Sequence, residues 1–224
     1  LSAAEHGFPV LICSYEMAAR QVYGRLVATK SGVPLHIQTK PEMNGHDYSR
    51  VMGAADMLAS LPIKIEGPQC GTVSAIRRAA RKMTAEHNKP CLVVVDYLQL
   101  MRGGSSRRDS TQEEGISANS RGLKLLAVEP NCVVVVLSQP TLEAKRSKKR
   151  PSISDAKGSG AIEDDADLAL VPWIPHRVQP GMSRSLAEIG MGKFRDGVMT
   201  DLGIDEVCWS GGRMRFEHMT PGVL

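Results

Sequence analysis

The sequence predicts an α/β fold on a mostly parallel central sheet flanked by helices, and three observations carry that expectation. Short β-branched runs alternate with amphipathic helical stretches along most of the 224 residues, the order from which such sheets are built. The run Cys91-Leu-Val-Val-Val-Asp96 is continuously apolar until its last residue, which reads as a strand buried on both faces. It ends in a carboxylate, and ligands of open α/β sheets gather at the carboxyl ends of strands.

The elements follow in order. Pro9–Cys13 reads as a strand and Met17 to about Thr29 as an amphipathic helix. A helix around Tyr48–Ser60 precedes a short strand at Leu61–Glu66. Thr72–His87 is a basic amphipathic helix with Arg77, Arg78, Arg81 and Lys82 on its wet side. Then come a strand at Leu92–Asp96, a helix around Gln112–Ala127, and strands at Cys132–Leu137 and Leu168–Val171. Leu186 to Phe216 reads as antiparallel strands, with Gly211-Gly212 as a hairpin turn. Two stretches read as mobile loops. Arg102–Ser110 is rich in Gly and Ser. Leu142–Pro151 holds Lys145, Arg146, Lys148, Lys149 and Arg150, five cations in six residues. It is either a solvated loop or a surface for phosphates. Each loop follows a strand end, so both are expected on one edge of the sheet.

Composition sets bounds. Lys plus Arg is 28 against 24 for Asp plus Glu, a mild positive balance that permits a polyanionic partner without requiring one. The five cysteines show no C-x-x-C spacing, so buried reduced thiols of a cytosolic protein are expected rather than a zinc site or disulfide frame. No apolar run approaches the roughly 20 residues of a membrane-spanning helix, and no signal-peptide pattern stands out. The chain begins with Leu1 rather than Met, which suggests a fragment of something longer.

Several clusters could carry chemistry, each with a plainer alternative. Asp96 is placed to hold a Mg²⁺ through its waters beside a nucleotide phosphate, or is a turn-forming acid. Glu16, just past the first strand, could deprotonate an attacking water, or is an acid favoured at a helix start. Gln139, after the strand at 132–137, could sense a γ-phosphate, or is a polar loop residue. In Lys157-Gly158-Ser159-Gly160 the glycines allow close approach of backbone N–H groups to a phosphate chain; otherwise this is a flexible turn. Lys193 and Arg195 are two apart and share a strand face, either as cations reaching a neighbour's γ-phosphate or as a solvated edge.

Taken in order, Ser14-Tyr-Glu-Met17, Val95-Asp-Tyr-Leu-Gln-Leu-Met101, Ser120–Ala127, Leu137-Ser-Gln139, Lys149-Arg-Pro151, Ser154-Asp155, Ser159–Glu163, Asp165-Ala-Asp167 and Gly192–Gly197 resemble the replicative DNA helicases of the DnaB type, whose motor domain has a RecA-like fold. The motifs span nearly the whole chain. The resemblance implies one RecA-like motor domain over residues 1–224. It implies Glu16 as the catalytic carboxylate, Asp96 as the Walker B acid and Gln139 as the residue coupling nucleotide to DNA. Lys193 and Arg195 would act on ATP held by the adjacent subunit of a homohexamer. Lys157, Gly158 and Gly160 would hold single-stranded DNA. ATP and Mg²⁺ are the implied cofactors. Primase and a helicase loader are the implied partners, through parts outside this chain, in a bacterial or phage-infected cytoplasm.

The chain also departs from that family. It contains no G-x-x-x-x-G-K-[ST]; Gly192-Lys193 is followed by Phe194. Leu1–Gly7 looks like the end of the helix that follows the family's phosphate loop, so the chain is expected to start just after that loop and to leave some sheet surface uncovered. Lys157-Gly158 stands where the family has Arg-Glu, and Pro140-Thr141 where it has Asn-Arg. Two other readings stay open: a different RecA-like ATPase such as a recombinase, and a non-hydrolysing remnant that binds DNA or a helicase ring.

Overall fold

The computed structural model describes residues 1–103, 111–129, 132–147, 149–195 and 204–218. The order is α1 (Ser2–Glu5), β1 (Val10–Ser14), α2 (Ala19–Ser31), α3 (Leu35–Gln38), α4 (Gly45–Ser60), β2 (Ile63–Glu66), α5 (Val73–His87), β3 (Cys91–Asp96), α6 (Gln112–Val128), β4 (Cys132–Val136), α7 (Leu142–Arg146), α8 (Ser159–Asp165), β5 (Leu168–Trp173), β6 (Leu186–Phe194), β7 (Ile204–Ser210) and β8 (Arg215–His218).

The first four strands form a parallel sheet in the order β2-β1-β3-β4. One face carries Leu11, Cys13, Cys91, Val93 and Val95, packed against Ile76, Ala80 and Met83 of α5 and Ile116, Leu123 and Leu126 of α6. Side-chain caps start both helices. Thr72 accepts from the Ala75 N–H at 3.3 Å to start α5, and Asn88, at φ 49°, ends it. Thr111 and Glu114 form a reciprocal capping box at the start of α6. A second apolar cluster, Val27, Ala54 and Leu58, packs α2 and α4 with Ile63 of β2. Ile63 is in register with Val10, so this cluster lies on the face opposite Leu11.

That opposite face is open beside β4, where Val133 and Val135 are 57% and 46% exposed. The expectation that the Cys91–Asp96 strand is buried on both faces is corrected accordingly. Its burial alternates, with Cys91, Val93 and Val95 fully covered and Leu92 and Val94 partly so.

The remaining strands make a second, antiparallel sheet in the order β5-β6-β7-β8. The strand expected at Leu168–Val171 is β5 of this sheet, paired antiparallel with β6 (Leu170 opposite Met191). The turn between β7 and β8 includes Gly211-Gly212, as expected. Its Gly212 C=O accepts from the Leu35 N–H at 3.1 Å and its Met214 C=O from the Thr29 hydroxyl at 3.4 Å, which ties this sheet to α2 and α3. The basic stretch from Leu142 is not a loop throughout. Thr141 accepts from the Ala144 N–H at 3.2 Å and starts the short helix α7. Residues 104–110 of the other expected loop lie outside the described residues, as does Lys148. Among the described residues no helix is long and apolar enough to cross a membrane.

Candidate functional site

Parallel strands end on the same side, so the residues after β1, β3 and β4 share one rim. Hydrogen bonds continue the sheet past the strand ends. The Tyr15 N–H donates to the Asp96 C=O at 2.8 Å, the Leu137 N–H to the Val95 C=O at 2.9 Å, and the Leu98 N–H to the Leu137 C=O at 2.9 Å. Ser14 is in register with Asp96. Glu16, Asp96 and Gln139 are thereby placed within three residues of adjacent strand ends.

Asp96 senses its surroundings. Burial, then the negative charge of Glu16, raises the Asp96 carboxyl above its ordinary range, with Arg25 of α2 acting in the opposite direction. Glu16 itself is exposed and Asp96 half-buried. A desolvated acid beside a second acid is the environment that a divalent cation relieves. No group of three His, Cys, Asp or Glu residues converges as a metal site among the described residues. One or two carboxylates are nevertheless what Mg²⁺ uses when water and phosphate complete its shell. The residues present fit that donor set.

Gln139 is held on three sides. Its N–H donates to Gln99 Oε1 at 3.3 Å, its C=O accepts from the Lys157 N–H at 3.0 Å, and its side-chain oxygen accepts from Lys145 Nζ at 3.3 Å. The Lys157 turn therefore joins the rim through Gln139. Lys157 is exposed, its Nζ donating to Gln112 Oε1 at 2.7 Å. Gly158 adopts φ +81° as it starts α8, and a Cβ there would come within 2.7 Å of Ile116 Cγ2. Both facts demand glycine. Gly160 has ordinary backbone and open space around it, so neither strain nor packing demands glycine there.

Lys193 and Arg195 point the same way, as their spacing predicts. Both reach the end of α8, whose last carbonyls lack helical partners. Lys193 Nζ donates to the Glu163 C=O, and Arg195 Nη2 to the Asp164 C=O at 2.6 Å. Arg195 also pairs with Asp167 at 3.2 Å. The Lys124 hydrogen bond, with Arg195 and Lys193 adding attraction, holds the Asp167 carboxyl below its usual range. The two cations thus serve their own chain, and no hydrogen bond joins them to Glu16 or Asp96 among the described residues. Asp196 and Gly197, the end of that motif, lie outside the described residues.

Of the basic run, Arg150 is committed elsewhere. It pairs with the buried Glu188 and lies over the Trp173 ring at 5.1 Å. Sequence reasoning missed this pair, the Asp165 carboxylate of α8 that accepts from Ser120 and Arg121 of α6, and the contacts of Gln99. The signal for Gln99 was a carboxamide three residues beyond the rim acid.

Comparison with known proteins places these residues in context. A family model described as DnaB-like helicase C terminal domain matches residues 1–218. The replicative DNA helicase DnaB of Buchnera aphidicola subsp. Acyrthosiphon pisum (strain APS) is 36% identical over 214 residues, which is 94% of this chain and 45% of that protein. The chain thus spans a little under half the length of this relative. Among solved structures, a DnaB-like replicative helicase reported with its interactions with primase superposes with a TM-score of 0.88 at 23% identity, over 97% of this chain and 52% of that one. A second solved structure, described as an ATPase domain, superposes with a TM-score of 0.87 at 25% identity, over 97% of this chain and 76% of that one. The RecA-like ATPase architecture follows from these superpositions and from the two sheets above.

Proposed function

The chain belongs to the DnaB-like helicase C-terminal domain family, and we propose that residues 1–224 are one motor domain of an ATP-driven replicative DNA helicase that works as a homohexameric ring in the cytoplasm. The observation that carries the reading is the acid pair on the sheet rim, where burial and then Glu16 raise the Asp96 carboxyl, with Gln139 on the same edge just past β4, the strand next to that of Asp96.

In this reading Glu16, exposed and unpaired by any cation among the described residues, accepts a proton from the water that attacks the γ-phosphate. Asp96 would hold Mg²⁺ through water. When bound, that ion neutralises charge developing on the phosphates. Gln139 presents its carboxamide to the same edge and is joined through its own C=O to Lys157. Gly158 and Gly160 supply backbone donors, and the Lys157 side chain one positive charge, to the single-stranded DNA backbone. Lys193 and Arg195 would leave the end of α8 to meet the nucleotide of an adjoining subunit. Primase and a loader are proposed partners of the full-length gene product.

The test uses that full-length product. Glu16→Gln should lower ATP turnover by about 100-fold or more, the range expected of a general base, while nucleotide binding persists. Full turnover in the variant excludes Glu16 as the base. Single-strand binding without any hydrolysis in the unaltered protein would favour a non-hydrolysing ring or DNA-binding component.

A further inference from the structure

We propose that Gln99 is a positioning residue that couples the nucleotide edge to the DNA-facing turn, an inference that rests on the motor reading above. Gln99 lies in the tight turn Leu98–Leu100, directly beyond Asp96. The turn is anchored from both sides. The Leu98 side chain is buried, its N–H donates to the Leu137 C=O, and its C=O accepts from the Met101 N–H at 3.1 Å. The backbone of Gln99 is therefore fixed to the ends of β3 and β4.

Its carboxamide reaches three other groups. Nε2 donates to Ser138 Oγ at 2.8 Å and to the Lys157 C=O at 2.9 Å. Oε1 accepts from the Gln139 N–H at 3.3 Å. Both amide protons and the oxygen are used. The opposite orientation of the amide would set Oε1 against the Lys157 C=O and Nε2 against the Gln139 N–H, so its partners fix which way it points.

What Gln99 grips is a small ribbon. The Lys157 N–H donates to the Gln139 C=O at 3.0 Å, and the Thr141 N–H to the Asp155 C=O at 2.8 Å. Pro140 and Ala156 pair between them. One strand of the ribbon begins at Gln139 and the other ends at Lys157, the first residue of the turn that starts α8. A displacement of Gln139 carries Lys157 with it, and Gln99 references both to the strand that bears Asp96. Filling the space alone would not require an amide, because Met occupies nearly the same volume.

The experiment compares ATP hydrolysis by the full-length gene product with and without saturating oligo-dT, in the unaltered protein and in the Gln99→Met and Gln99→Glu variants. Couplings between sites are typically about 5–150-fold. The DNA stimulation factor should fall about tenfold in Gln99→Met. It should fall at least as far in Gln99→Glu, which keeps an acceptor for the Gln139 N–H but faces the Lys157 carbonyl with negative charge. The thermal midpoint, read alongside, separates lost coupling from lost folding. Stimulation kept in both variants overturns the coupling role. So does an equal fall of the DNA-free and DNA-bound rates, the result expected of a support for the site as a whole. An unaltered protein that hydrolyses ATP without any response to DNA overturns the motor reading and the coupling with it.

Discussion

At the scale of the residue, Asp96 is held at a disadvantage. Its folded-state pKa is raised by burial and by Glu16 above the unfolded value of about 3.9. The stability associated with its protonated form is fully present below that unfolded value and is lost as pH rises through the raised one. Asp96→Asn should therefore raise the thermal midpoint at neutral pH, and the gain should close as the pH is lowered toward about 4. A scanning-calorimetry series across that range checks it, and a gain that persists at low pH contradicts the cause given. Gly158 shows strain avoided rather than strain stored. Its φ of +81° and its closeness to Ile116 mean that Gly158→Ala should cost about 1–2 kcal/mol for the left-handed backbone, with any displacement of Ile116 added. Urea unfolding measures the loss.

At the scale of the element, α8 is a helix of seven residues, too short to persist without help. It is held from both neighbours. Asp165, buried, accepts from Ser120 Oγ and Arg121 Nη1 of α6, each at 2.9 Å, and Lys193 of β6 with Arg195 just beyond it covers the last carbonyls of α8. Asp165→Ala should leave the Ser120 hydroxyl short of its best partner and cost about 1–3 kcal/mol, with hydrogen-exchange protection falling first along α8. The strands of the parallel sheet and the long helices were readable from the sequence because hydrophobic run and period are local signals. β3 was expected at 92–96 and observed at Cys91–Asp96. α7 was not readable, because its five-residue helix is built from the same charges that suggest a solvated loop. Only the cap at Thr141 marks it. The assignment of β5 to the second sheet depends on its pairing with residues some 20 positions later, which no local pattern encodes. The same holds for Arg150, whose partner Glu188 lies 38 residues on. The acids and Gln139 were legible because each follows a recognisable strand, whereas Gln99 is defined only by what it touches across 39 to 58 residues.

At the scale of the molecule, two sheets divide the labour. The parallel sheet presents the acids, and the antiparallel sheet carries Lys193 and Arg195 to the far end of α8 from the Lys157 turn. On the motor reading proposed above, DNA attraction would be a property of a few cations rather than of net charge, which is only +4. If Lys157 meets one phosphate, Lys157→Ala should weaken single-strand binding alike for all sequences and reduce the slope of log affinity against log salt by about 0.7. Fluorescence anisotropy at several salt concentrations measures it, and an unchanged slope removes Lys157 from the contact.

The cysteines give the parallel sheet a clock of its own. Cys13, Cys70 and Cys91 are free and buried within its core, and burial also pushes the Cys91 thiol up to about 11. An alkylating reagent can reach these sulfurs only while the structure around them is open. The pace of their modification therefore reports how often the platform beneath Glu16 and Asp96 comes apart, with no added label.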